Sequence, residues 1–132
     1  MSSTKTITVA IVDDDASLCH AMDRLLRAAR YHAFTYPSAE AFLQEEGRAR
    51  PDCILLDIQL GGMSGFELQT RLAASGSTIP IIFITAHDDP ETREQARQTD
   101  CVAYLRKTDP GEMVLDAIRK AVHLNVVEES KQ

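Results

Sequence analysis

Three things are scarce in this chain, and each scarcity removes a class of function. Basic side chains are outnumbered, with 14 Lys and Arg against 20 Asp and Glu, a net charge of −6. A sequence-independent grip on nucleic acid needs a basic face to neutralise phosphates, and an anionic membrane surface asks for the same. Neither partner is expected, and the mild acidity by itself serves solubility. Cysteine and histidine are few and scattered. Cys19, Cys53 and Cys101 form no C-x-x-C pair, and His20, His32, His87 and His123 lie apart, so the clustered ligands of a zinc site are missing. With Cys53 and Cys101 in strand-like runs and Cys19 in a helical one, all three are expected to be buried, reduced thiols. Long apolar runs are the third absence. No segment approaches a membrane span, and residues 1–6 lack the apolar centre of a signal peptide. The expectation is a cytoplasmic protein.

What remains is an ordinary globular balance, 44% apolar and 26% charged over 132 residues. That length suits one domain spanning 1–132, with its core at about 6–124 and a sizeable apolar interior. Residues 7–12 saturate with β-branched side chains and read as a first strand ending in Asp13-Asp14-Asp15. Leu18, Met22, Leu25, Leu26 and Ala29 then form one helical stripe, capped by Asp15 or Ser17. Residues 32–36 make a second strand. Pro37-Ser38 opens a second helix to about Glu46, with Gly47 as a stop signal. Residues 53–56 are an apolar third strand closed by Asp57, followed by the glycine-rich loop 59–65 and a helix through Phe66, Leu68 and Leu72 that Gly76 ends. Residues 79–84 form a fourth strand and 101–105 a fifth. Between them, 90–98 contains helix formers with almost no apolar stripe beyond Ala96. A last helix carries Val114, Ala117, Ile118, Ala121 and Val122, and 128–132 reads as a frayed polar tail.

Strands alternating with helices imply a parallel sheet covered on both faces with right-handed crossovers. Strands 1, 3 and 4 are the most apolar and belong in the middle. The doubly wound, flavodoxin-like order 2-1-3-4-5, a (βα)5 fold, follows from that ranking. Ligands of such sheets sit beyond the carboxyl ends of the strands. There the polar residues gather: Asp13 and Asp14 from strand 1, Asp57 from strand 3, Thr85 from strand 4 and Lys107 from strand 5. Carboxylates crowded at ~4 Å repel by about 4 kcal/mol per pair at an effective dielectric near 20. Such a site keeps a proton or takes a cation, and an oxygen-only ligand set suits Mg²⁺. Lys107 and the Thr85 hydroxyl attract phosphate oxygens, and a carboxylate beside them can attack phosphorus. The pattern describes an aspartyl-phosphate site.

The runs Val12-Asp13-Asp14-Asp15, Leu55-Leu56-Asp57, Ile84-Thr85-Ala86 and Tyr104-Leu105-Arg106-Lys107 resemble, in order and spacing, the receiver domain of two-component response regulators. The resemblance extends over roughly residues 6–124. It implies that Asp57 is the phosphoacceptor, loaded by a sensor histidine kinase or a phosphotransfer protein. It implies Mg²⁺ held by Asp14, Asp57 and the backbone carbonyl of Gln59, with Asp13 orienting a metal-bound water. Lys107 and Thr85 would hold the phosphoryl oxygens, small Ala86 would leave them room, and Tyr104 would change rotamer with Thr85. Gln59 and His87 lie where the family tunes hydrolysis. The kinase would dock near residues 16–26, and a downstream protein on the face made by helix 4, strand 5 and helix 5.

Two positions depart from the family pattern. Thr108 follows Lys107 where the family has a proline in a cis bond, so a trans bond is expected. Gly61-Gly62 replaces a proline after the phosphoacceptor, which predicts a looser rim. The chain leaves no room after its last helix for a DNA-binding module, so the expectation is a stand-alone receiver, a phosphoacceptor rather than an enzyme; a piece of a longer regulator would look the same. The rival reading is a phosphatase of the haloacid dehalogenase type, using Asp13 within Asp13-Asp14-Asp15-Ala16-Ser17 and Asp88-Asp89 as a late acidic pair. It leaves Asp57 without a role.

Overall fold

The computed structural model describes residues 6–45 and 50–130, the last seven of these as backbone alone. Strands β1 (Thr8–Val12), β2 (His32–Tyr36), β3 (Cys53–Asp57), β4 (Ile81–Thr85) and β5 (Ala103–Arg106) alternate with helices α1 (Ala16–Ala28), α2 (Ala39–Leu43), α3 (Gly65–Ala74), α4 (Pro90–Arg97) and α5 (Gly111–Ser130). The strands form one sheet in the order β2-β1-β3-β4-β5, parallel throughout. The expected order is the observed one, because the most apolar strands can be sheathed on both faces only in the middle.

Side chains alternate between two core layers. Val9, Ile11, Leu55, Ile82 and Ile84 point to the layer that Leu26 of α1 and Ile118 of α5 complete. Ala10, Val12, Ile54, Leu56 and Phe83 point to the opposite layer, with Leu68 of α3 and Ala96 of α4. Every residue of β3 and β4 is buried. Each fully buried Leu or Ile contributes about 1.5–3 kcal/mol, so the two central strands anchor whatever their ends carry.

Local chemistry sets the helix starts. Asp15 caps α1, its Oδ1 accepting the N–H groups of Ser17 and Leu18 at 3.0 and 3.2 Å. Of the two candidate caps the carboxylate is the one used. Ser64 and Glu67 form a reciprocal capping box at α3, and Asp89 caps α4 with Pro90 in its first turn. α4 buries only Ala96, as its sequence implied.

Some boundaries differ from expectation. β4 begins at Ile81 rather than Ile79, since Pro80 has no N–H for the ladder; its carbonyl instead accepts from Ile54 at 3.0 Å. β5 begins at Ala103, after Cys101, which is only partly buried and not the buried thiol anticipated. Its Sγ lies 3.6 Å from the Ala96 carbonyl. α5 runs to Ser130, so the polar residues 128–130 continue the helix rather than fraying. α2 ends at Leu43 with Gln44 as its C-cap, short of the end expected near Glu46; Glu46 and Gly47 themselves lie outside the described residues.

Candidate functional site

Strand register brings the acidic residues together. Val12 pairs with Leu56, so the next residue on each strand, Asp13 and Asp57, stands side by side at the carboxyl edge. Asp13 and Asp57 are 1% and 2% exposed, while Asp14 beside them is open to solvent. A carboxylate oxygen from each of the three lies within 4.8 Å of the others. Lys107 reaches the same point from the end of β5, where its N–H extends the ladder to the Thr85 carbonyl at 2.8 Å. Its Nζ donates to Asp13 Oδ1 and to Asp57 Oδ2, both at 3.2 Å.

Backbone groups complete the arrangement. Asp57 Oδ1 accepts the Gln59 N–H at 3.1 Å, and Asp13 Oδ1 accepts the Asp15 N–H at 2.8 Å. Asp13 Oδ2 lies 2.9 Å from Lys107 Nζ as an ion pair but has no hydrogen bond of proper geometry. The two carboxylates therefore share one ammonium. Burial, then the charge of Asp13, push the Asp57 carboxyl up to about 6, against the opposing pull of the Gln59 N–H and Lys107. Burial of Lys107 works against its charge, but its bonds and charges toward Asp13 and Asp57 outweigh that and its pKa is raised.

An excess of buried carboxylate over cation, with one oxygen short of a hydrogen bond and all donors hard oxygens, fits a divalent cation such as Mg²⁺. A groove of about 560 Å³ opens beside these residues along α1, lined by Asp13, Asp14, His20, Asp23, Arg27 and Tyr36.

The Thr85 hydroxyl expected to join the site, and the Tyr104 side chain expected to switch with it, are engaged elsewhere. Thr85 is fully buried and exchanges hydrogen bonds with the His87 backbone, accepting its N–H at 3.0 Å and donating to its carbonyl at 3.3 Å. Tyr104 donates to Asp88 Oδ1 at 3.1 Å. The structure thus joins Asp13, Asp14, Asp57 and Lys107, and leaves Thr85 and Tyr104 at the same edge with their hydroxyls turned to the β4–α4 loop.

Three supporting residues escaped the sequence reading. A Cβ at Gly65 would stand 2.3 Å from the Asp57 carbonyl oxygen, so only glycine lets α3 start against the end of β3. The spacing of Ser64 and Glu67 was the available signal, since a capping box fixes where that helix begins. Glu40 of α2 accepts the Met63 N–H at 3.1 Å. Gly62 beside it takes φ +79°, and a Cβ there would meet Glu40 at 2.9 Å. The rim that Gly61-Gly62 forms is thus tied to α2 at Met63. Cys19 donates its thiol to the Asp13 carbonyl at 3.3 Å, and burial pushes that thiol up to about 11.

Comparison with known proteins shows the family. The family model described as "Response regulator receiver domain" matches residues 9–119. The chain belongs to the response regulator receiver family. Response regulator protein TmoT of Ectopseudomonas mendocina is 35% identical over 116 residues, 88% of this chain and 53% of that protein. Transcriptional regulatory protein TdiR of Thauera aromatica is 34% identical over 128 residues, 95% of this chain and 56% of that protein. The solved structure of response regulator StyR superposes with a TM-score of 0.86 at 35% identity, covering 96% of this chain and 64% of that one.

The receiver chain thus spans about half the length of the curated relatives it matches. Receiver domains are signalling domains of two-component systems, and aspartate phosphorylation is their standard role. The haloacid dehalogenase alternative finds no support: Asp13 is buried and held by Asp15 and Lys107, and Asp88 and Asp89 serve α4. No cis peptide bond occurs among the described residues, so the bond before Thr108 is trans, as its lack of proline implied. No helix among them is long and apolar enough to cross a membrane.

Proposed function

We propose that this receiver, one domain over 1–132, accepts a phosphoryl group on Asp57 from the phosphohistidine of a sensor histidine kinase or phosphotransfer protein. The observation that carries the reading is the buried Asp13–Lys107–Asp57 bridge at the sheet's carboxyl edge, with Asp14 exposed beside it. A carboxyl with a pKa of about 6 is mostly ionised at neutral pH and poorly solvated, the state of a competent nucleophile. An Asp57 oxygen attacks phosphorus, the donor's P–N bond breaks, and the electron pair stays with the imidazole nitrogen. Lys107 moves from carboxylate neutralisation to binding a phosphoryl oxygen, and the Thr85 hydroxyl takes another.

Mg²⁺ would be held by Asp14, Asp57 and the Gln59 backbone carbonyl, with Asp13 orienting its water; it supplies charge neutralisation for the phosphoryl oxygens. The groove beside α1 is the docking place assigned to the donor, near residues 16–26. The phosphoryl group adds roughly −1.5 to −2 charge, and α4, holding to the core by Ala96, is the element set to shift. The readout is a change in the α4–β5–α5 face, to which a downstream protein binds; Tyr104 moves with Thr85. The domain acts as a phosphoacceptor with at most slow self-dephosphorylation, in the cytoplasm, without direct contact to nucleic acid or membrane.

The test is intact-mass measurement after incubation with acetyl phosphate and Mg²⁺. One added phosphoryl group on the wild type and none on Asp57→Asn is the expected result. Equal labelling of both proteins, or labelling mapped to Asp13, overturns the assignment.

A further inference from the structure

Thr85 and Tyr104 bond neighbouring residues of the β4–α4 loop, Thr85 the His87 backbone and Tyr104 the Asp88 side chain. The Thr85 hydroxyl has one proton to donate, and it gives that proton to the His87 carbonyl. Turning to donate to a phosphoryl oxygen on Asp57 frees the His87 carbonyl, and the His87 N–H, which Thr85 Oγ accepts at 3.0 Å, must follow the hydroxyl, so the segment 86–88 moves with it. Asp88, the next residue, is gripped from two sides. Arg93 of α4 donates Nε to Asp88 Oδ1 at 3.2 Å and a second guanidinium nitrogen to Oδ2. Tyr104 of β5 donates to the same Oδ1 at 3.1 Å.

The Asp88 side chain is 15% exposed, so the Tyr104 side of this three-way contact is partly shielded, while its Arg93 side lies on the surface. The Arg93 bonds hold the Asp88 carboxyl below the usual carboxylate range. Burial first, then the bond to Asp88, push the Tyr104 hydroxyl up to about 12, which keeps it a proton donor throughout the working pH range. α4 sinks a single alanine into the core, so apolar packing does little to fix its first turn against β5. The Asp88 contacts supply that attachment.

We propose that Asp88, held by Arg93 and bonded to Tyr104, is a latch that keeps the β4–α4 loop in the conformation withholding the Thr85 hydroxyl from Asp57. The latch rests on Asp57 being the phosphoacceptor. Phosphorylation must break it, so the contact sets the fraction of unphosphorylated protein in the switched state. A contact made only in the resting state lowers the apparent affinity for anything that binds the switched one.

The test uses beryllofluoride with Mg²⁺ as phosphoryl mimic on the whole chain, with affinity read by ¹⁹F NMR titration. Tyr104→Phe keeps the ring and loses only the hydroxyl; Asp88→Ala removes the acceptor. Each is expected to bind beryllofluoride roughly three- to tenfold more tightly than wild type, the span of one hydrogen bond. The double variant should gain no more than the larger single gain, because both changes undo one contact. Wild-type binding that depends on Asp57, with unchanged or weaker affinity in both variants, overturns the latch alone. No Asp57-dependent binding by the wild type overturns the phosphoacceptor assignment and the latch with it.

Discussion

Replacing Asp57 by Asn should stabilise the metal-free protein, and the pH dependence of the gain is the informative part. Asp57 is 2% exposed, with its carboxyl pushed from 3.8 to about 6 by burial and by Asp13. A displacement of that size corresponds to about 3 kcal/mol held against the ionised form at neutral pH. Between about pH 4 and pH 6 the native protein keeps a proton at Asp57 that the unfolded chain has released. Wild-type stability therefore falls as pH rises through that window and levels off above it.

Asn carries no charge to desolvate, and its carbonyl still accepts from Lys107. Lys107 loses a charged partner, which offsets part of the gain. The expected net effect is about 1–3 kcal/mol of added stability at pH 8, shrinking toward zero near pH 4, in urea titrations with a chelator present. Adding Mg²⁺ at ten times its dissociation constant should then raise the wild type by about 1.4 kcal/mol and the variant by far less. An Asp57→Asn protein less stable than wild type at pH 8, or a gain unchanged from pH 4 to pH 8, would refute the reasoning.

Two further outcomes follow from the site's support. Gly65→Ala forces a Cβ to within 2.3 Å of the Asp57 carbonyl oxygen, so α3 or the end of β3 must shift. A loss of about 1–3 kcal/mol in urea unfolding is expected, together with slower labelling by acetyl phosphate. Lys107→Ala leaves the buried Asp13 and Asp57 carboxylates without their shared cation. Breaking a fully buried pair removes about 3–5 kcal/mol, and the 16% exposure of the Lys107 side chain reduces that to about 2 kcal/mol. Because Lys107 holds the Asp57 pKa down, the loss should be greater at pH 8 than at pH 5; equal losses at both would show that the ion pair is not the cause.

Much of the architecture was legible in local pattern. Cys53-Ile54-Leu55-Leu56 has no polar face, so it had to lie inside a two-sided sheet, and the sheet order follows from which strands share that property. The polar residues closing each strand are equally local, which is why the sequence groups Asp13, Asp57 and Lys107, and the structure joins them. Less legible were boundaries set by one backbone group, such as β4 starting after Pro80, where the missing N–H outweighs the apolar run.

What the sequence by itself determined is the membership of the acidic site, since strand alternation and parallel topology send every strand end to one edge. Only the tertiary structure decided how those residues are engaged. The bridge at Lys107 depends on distances between residues 94 and 50 positions apart, and the close seat at Gly65 depends on how α3 meets β3. The Thr85 hydroxyl is assigned to the site by its position at a strand end, yet it is turned to His87, and Tyr104, expected only to change rotamer with Thr85, is bonded to Asp88. A hydroxyl's partner is chosen by geometry over a few tenths of an ångström, a scale on which linear order carries no information.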